Sequence, residues 1–171
     1  PVQHPADGSF LICSFSFFNF SFMVGIGYRK DFADSFLHKS VLRPDFIEVA
    51  PENWMGVGGY WKKQFRQALE IYPLFVHGLS LSIGSPDPLD YTFLKQLKNF
   101  LREHKAVLYS EHLSYAKCDN AHLYDLLPIP FTQEAVKHVA SRIREVQDML
   151  EQRIAMEIVS YYSPVAPELT E

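Results

Sequence analysis

The chain alternates between short apolar runs and longer stretches whose apolar residues follow a helical spacing. Positions 24–29, 46–50, 74–82, 106–116 and 153–160 are apolar runs bounded by Gly, Pro or charged residues, and they predict strands. Over 61–72 Trp61, Phe65, Leu69 and Tyr72 form one apolar stripe with Lys and Arg opposite, which predicts a helix. Pro73 stops that helix, because it has no N–H and restricts the residue before it. A second helix is predicted over 91–104, with Phe93, Leu94, Leu97, Phe100 and Leu101 on one side. A third covers 133–150 and turns Val136, Val139, Ile143, Val146 and Leu150 inward. Thr132 is its expected N-cap, with Gln133 and Glu134 in the first turn. A brief helix is expected over 31–39. The segments 51–59, 84–90 and a long polar stretch after 116, ending in LLPIPF (126–131), read as loops.

Strand, helix, strand, helix, with nearly continuous apolar strands, predicts a parallel sheet covered by helices. A doubly wound open sheet would often carry a glycine-rich phosphate loop in its first turn. The first turn here, GIGYRKD, lacks the third glycine, and GVGG (56–59) follows the second strand as an isolated cluster. The predicted fold is therefore α/β, a partial (β/α)8 TIM barrel of about five parallel strands with covering helices. A full barrel takes typically ~250 residues.

The strand ends carry the chemistry. FIEVAPEN (46–53), LFVHGLSLS (74–82), VLYSEHLSY (107–115) and IAMEIVS (154–160) each run from apolar residues into acidic, imidazole, amide or hydroxyl side chains. In a barrel the site forms where several strands end. His77, Glu111 and Glu157 are the expected metal ligands, because imidazole nitrogen and carboxylate oxygen suit hard or borderline cations. Side chains alternate along a strand, so Glu111 and His112 should not both point inward. Glu111 is ranked first as the ligand, and His112 after it, as a group that orients a ligand or as a ligand itself. Glu52 and Asn53 are candidates to line the site mouth, touch substrate or cap the following helix. The serines of HGLSLSIGS could satisfy backbone groups or hold substrate. Each reading has a plainer rival: a lone buried His is more often a hydrogen-bonded core residue, and a buried Glu is often paired with Arg or Lys. His4, His38, His104, His122 and His138 read as surface residues, and Cys118 as a loop thiol.

Composition narrows the setting. A chain of 171 residues, 47% hydrophobic, can build one domain with a real core. Its net charge of −4 leaves no basic footprint for nucleic acid. Two widely separated cysteines make neither a disulfide framework nor a zinc motif, so a reduced, cytoplasmic setting is expected. Residues 1–22 differ from the rest. LICSFSFFNFSF (11–22) is rich in Phe and Ser without period, has no preceding Lys or Arg, and is too short and Ser-interrupted to span a bilayer. They are expected to be an atypical leader outside the fold, with Met23 as the natural start and 23–171 as the N-terminal portion of a barrel.

FIEVAPENW, LFVHGLSLSIGSPDPLD, YSEHLSY, LYDLLPIPFTQEAV, VQDML and AMEIVSYY resemble a bacterial family, the multinuclear non-heme iron-dependent oxidative enzymes. The resemblance runs from Met23 to the C-terminus. It implies a xylose-isomerase-like barrel holding two or three iron ions, and oxidative modification of cysteine in a ribosomally made precursor peptide. It also implies a small partner protein that presents the peptide; apart from the resemblance, no nucleic-acid or membrane partner is expected. By resemblance His77, Glu111 and Glu157 fall on metal-binding strand ends, while Asn53 and His112 fall inside shared motifs. Two departures stand out: Ile158 replaces the family's usual Asn, and the family continues for roughly another third of a barrel beyond the stretch seen here. A truncated or inactive form is therefore expected. The rival readings are another metal-dependent barrel enzyme, of sugar isomerase or phosphoester hydrolase type, and a non-catalytic fragment.

Overall fold

The computed structural model describes residues 23–33, 36–37, 43–119 and 121–159. The leader expected at 1–22, with His4 and Cys13 in it, His38 and the end of the last expected strand lie outside these residues. Strands β1 (Gly25–Gly27), β2 (Phe46–Val49), β3 (Leu74–Gly78), β4 (Leu108–Cys118) and β6 (Ala155–Ile158) form one parallel sheet in that spatial order. The strands follow one another in sequence order, with no reversal among the described strands. A doubly wound sheet reverses at its switch point; the order seen here is that of part of a (β/α)8 barrel. Helices α1 (Gly59–Leu69), α2 (Tyr91–Glu103) and α3 (Gln133–Leu150) follow β2, β3 and the β4 hairpin. The brief helix expected over 31–39 is described in part, as a 3-10 turn at Lys30–Phe32 with Ala33, Phe36 and Leu37 helical after it.

The expected polar loop after 116 is instead a strand. β4 runs on past the parallel sheet and turns back through Asp119, at φ 52°, into β5 (Ala121–Pro128), which pairs with it antiparallel. Asp and Asn tolerate this left-handed conformation, and the Asp-Asn dipeptide at 119–120 is a hairpin signal. The exposure of β5 hides it from a hydrophobic pattern: its first five residues face solvent, Tyr124 almost wholly.

Two of the helices start on side-chain caps. Asp90 accepts from the Phe93 N–H at 2.9 Å, and Thr132 accepts from the Ala135 N–H at 3.1 Å, as expected for Thr132. Helix α2 buries Leu94, Leu97, Phe100 and Leu101. Helix α3 buries Val139, Val146 and Leu150, but Val136 is exposed and Arg142 takes a buried place on the same helix. Against the sheet lies an aromatic seam: Tyr28 stacks on Trp54, Trp54 on Phe65, and Phe65 on Phe100. His104, expected at the surface, packs edge-on against Phe65 and Phe100 at the end of α2.

Strand alternation divides the sheet into two faces. Ile47, Val49, Leu74, Val76, Gly78, Tyr109 and Glu111 belong to the buried face. Phe46, Glu48, Phe75, His77, Ser110, His112 and Glu157 alternate with them on the other face, which is partly open to solvent and corresponds to a barrel interior.

The segment after β3, residues 79–90, is pinned on several sides. Glu52 Oε1 accepts from the Leu79 N–H at 2.9 Å, and Glu111 Oε2 accepts from the Leu81 N–H at 3.1 Å. Ser82, at φ 52°, accepts with its hydroxyl from the N–H groups of Ala116 and Lys117, and the Ser85 hydroxyl donates to the Lys117 carbonyl. The Gly84 N–H donates to the Ser114 carbonyl. From α3, Arg142 donates to the Asp87 carbonyl at 2.7 Å, and His138, half-buried rather than at the surface, bonds the Ser85 carbonyl. Ser82 and Ser85 of HGLSLSIGS thus satisfy backbone groups of the extended β4. Cys118 is a free thiol at the end of that strand, not in a loop.

Two outcomes follow. Glu111→Gln would place an amide N–H among three donors that now meet a carboxylate. It should lower the unfolding free energy by about 2 kcal/mol in urea denaturation. The second concerns pH. Burial holds the His104 imidazole below its ordinary pKa, against the pull of Glu103 and with help from Lys62 and Arg66. A group depressed in this way stabilises the fold fully above its unfolded value of about 6.5, and loses that contribution as pH falls through the folded pKa. Replacing His104→Phe should therefore flatten the fall in stability below about pH 6.5, read from denaturation curves across pH.

Candidate metal centre

β3 and β4 set the site. Their parallel register places His77 opposite Ser110 and Gly78 opposite Glu111. The register of β4 with β6 places His112 opposite Glu157. Residues 77, 110, 112 and 157 therefore share the open face, two strands apart at most. His77 Nε2 lies 2.9 Å from Glu157 Oε2 and 3.3 Å from His112 Nε2. His112 Nε2 is 3.7 Å from the same Glu157 oxygen. The two imidazole rings are 4.5 Å apart between centroids and inclined by 60°.

The far nitrogen of each ring is engaged elsewhere. His112 Nδ1 is 3.1 Å from the Gly78 carbonyl oxygen, which can only accept. That nitrogen therefore carries a hydrogen, and a neutral His112 presents a bare lone pair at Nε2. His77 Nδ1 is 2.8 Å from the Ser110 hydroxyl. The nearby Glu111 carboxylate raises the His112 pKa above its ordinary value; burial opposes this, and the Gly78 carbonyl and the Glu157 charge add to it.

The structure brings His77 and Glu157 together and adds His112 to them, while Glu111 lies apart. Glu111 is 1% exposed and belongs to the buried face. Its carboxylate accepts from the His112 N–H at 2.9 Å, the Tyr109 hydroxyl at 3.0 Å and the Leu81 N–H. Burial and this carboxylate push the Tyr109 hydroxyl well above its usual pKa, so it remains a donor. Gly78 is required beside them: a Cβ there would lie 2.5 Å from Glu111 Oε2 and 2.6 Å from the Tyr109 oxygen. Alternation does keep Glu111 and His112 on opposite faces, but His112 is the one on the open face. Glu52 is drawn to the loop after β3, and its Oε2 is buried with no hydrogen-bond partner among the described residues. Neither Glu52 nor Asn53 caps α1, whose N-cap is Gly58 with no side-chain cap. Asn53 is exposed in the 3-10 turn Pro51–Asn53.

The donor set fits a cation. Two ligands held about 2.0–2.1 Å from one ion, at tetrahedral or octahedral angles, stand about 2.9–3.4 Å apart. The triangle of two imidazole nitrogens and one carboxylate oxygen, with sides of 2.9, 3.3 and 3.7 Å, has nearly that size. Without a cation, the contacts of His77 Nε2 to Glu157 at 2.9 Å and to His112 Nε2 at 3.3 Å are held by a hydrogen on His77 Nε2; a metal at the triangle would take the place of that hydrogen. Glu157 supplies compensating negative charge and is 57% exposed, so the cluster is reachable from solvent.

The sequence is similar to those of several bacterial proteins. A UPF0276 protein of Shewanella loihica is 54% identical over 148 residues, covering 86% of this chain and 53% of the relative. The UPF0276 protein of Pasteurella multocida is 56% identical over 143 residues, covering 81% of this chain and 45% of the relative. The UPF0276 protein of Haemophilus influenzae is 54% identical over 139 residues, again 45% of its length. The chain thus spans about half the length of the curated relatives it matches. Among the described residues no helix is long and apolar enough to cross a membrane. With residues 23–171 matching throughout, the chain belongs to the family described as the RiPP precursor modification enzymes MbnB/TglH/ChrH.

Proposed function

We propose that this chain carries one wall of the metal centre of a peptide-modifying enzyme, with His77, His112 and Glu157 as ligands and iron as the metal. The observation that supports the reading is the triangle of donor atoms, sized for a single ion and built from three residues on the same face of three strands, β3, β4 and β6. Imidazole with carboxylate is a donor set that iron accepts. Family membership supports a ribosomally made precursor peptide as the substrate. The resemblance in its motifs points to oxidation at cysteine and to a separate protein that presents the peptide, in the cytoplasm. Iron would supply one-electron chemistry with dioxygen as the oxidant. The protein's own part is to hold the ligands and to aim both Nε2 atoms inward. It also keeps the 79–90 segment fixed beside them through Glu52, Glu111 and Ser82. Glu111 serves this reading as a buried acceptor and not as a ligand.

Metal analysis after anaerobic loading with Fe(II) tests the ligand set. Wild-type chain should retain iron. His77→Ala and His112→Ala should each lower the affinity at least ~10-fold, since each removes one of three ligands. Glu111→Gln should keep its iron while losing stability. Unchanged iron in His112→Ala, or iron lost from Glu111→Gln while the chain stays folded, would refute the assignment.

A further inference from the structure

We propose that Ser110 is a positioning residue for His77: it takes the hydrogen of His77 Nδ1, so that Nε2 is left free to bind the cation. The inference rests on the metal reading above and adds a residue to it. The two histidines of the cluster are supported differently. His112 leans on a backbone carbonyl, Gly78 O, which is an acceptor in every state. His77 leans on a hydroxyl, which can donate or accept. Ser110 sits directly opposite His77 across the β3–β4 register, half-buried, with its Oγ 2.8 Å from Nδ1. Its own hydrogen has a second outlet, the Val76 carbonyl at 3.5 Å.

These contacts define two states. Without a cation, His77 can carry its hydrogen on Nε2 and donate it to Glu157 at 2.9 Å, with the Ser110 hydroxyl donating to Nδ1. With a cation at the triangle, that position is taken by the metal, and the neutral ring must hold its hydrogen on Nδ1. The Ser110 hydroxyl then turns toward Val76 O and accepts from Nδ1. Only a side chain able to play both roles from one position allows the exchange without moving the ring. Alanine leaves a half-buried Nδ1–H without a partner in the metal-bound state. Outer groups that orient a ligating histidine typically contribute 10–100-fold in metal affinity.

The test uses the full chain with Zn(II), a diamagnetic probe, and three forms: wild type, Ser110→Ala and Ser110→Thr. Zn(II) affinity is measured by competition with a chromophoric chelator, and the imidazole nitrogens are followed by long-range 15N NMR at about pH 8, where unperturbed histidines are neutral. In the wild type, Zn(II) should move the His77 hydrogen to Nδ1 and slow its exchange with water. Ser110→Ala should bind Zn(II) about 10–100-fold more weakly and lose that protected hydrogen, while its unfolding midpoint in urea changes little. Ser110→Thr, which keeps the hydroxyl, should restore both. Equal affinity in the wild type and Ser110→Ala, or Ser110→Thr behaving like Ser110→Ala, overturns the role of Ser110 alone. A folded wild type that binds no Zn(II) overturns both this inference and the metal reading.

Discussion

The register between β3 and β4 decides what each polar side chain at the strand ends does. Setting His77 opposite Ser110 sends Gly78, Tyr109 and Glu111 into the buried face and His112 onto the open one. A slip of one residue in β4 would turn its side chains over. It would bury the His112 imidazole and strand the Glu111 carboxylate in the open. The register is held because the buried face is specific. Gly78 leaves room for Glu111 and Tyr109, and those two complete each other's hydrogen bonds.

The buried carboxylate joins fold and site. A charge that is 1% exposed persists only when its oxygens are satisfied, and here N–H and O–H donors from β4 and from the 79–90 segment do this. One of those donors is the backbone of His112, a candidate ligand. The same carboxylate therefore closes the core and fixes the segment that follows the other candidate ligand, His77. Glu52 repeats the device one strand earlier, and Ser82 reaches from the pinned segment to β4. The candidate centre is thus carried on strands tied together from behind, a rigid support of the kind that precise ligand placement needs.

Much of this was legible in the pattern of residues. The five parallel strands, the three main helices and the stop at Pro73 followed from periodicity and from the chemistry of proline. The Thr132 cap followed from its place before a helical stripe. The hairpin strand β5 did not, because exposure removes the apolar alternation that marks a strand; only the Asp-Asn dipeptide hinted at it. Val136, expected to face inward, is exposed, while Arg142 on the same helix is buried, because it meets the carbonyls of Ser82 and Asp87 that the 79–90 segment brings to the helix. His104 and His138 looked like surface residues by position, yet each is half-buried against a segment distant in sequence.

The sequence by itself determined the fold class, the elements that carry the chemistry and the residue types gathered at the strand ends, since these depend on local periodicity and side-chain chemistry. It also fixed that Glu111 and His112 point opposite ways. Which of the two enters the open face was decided only by tertiary structure. A parallel strand is apolar on both faces, so Leu108 and Tyr109 give no local sign of which parity is which. Pairing with β3 and β6 breaks that symmetry. It buries Tyr109 with Glu111 and brings His112 beside His77 and Glu157.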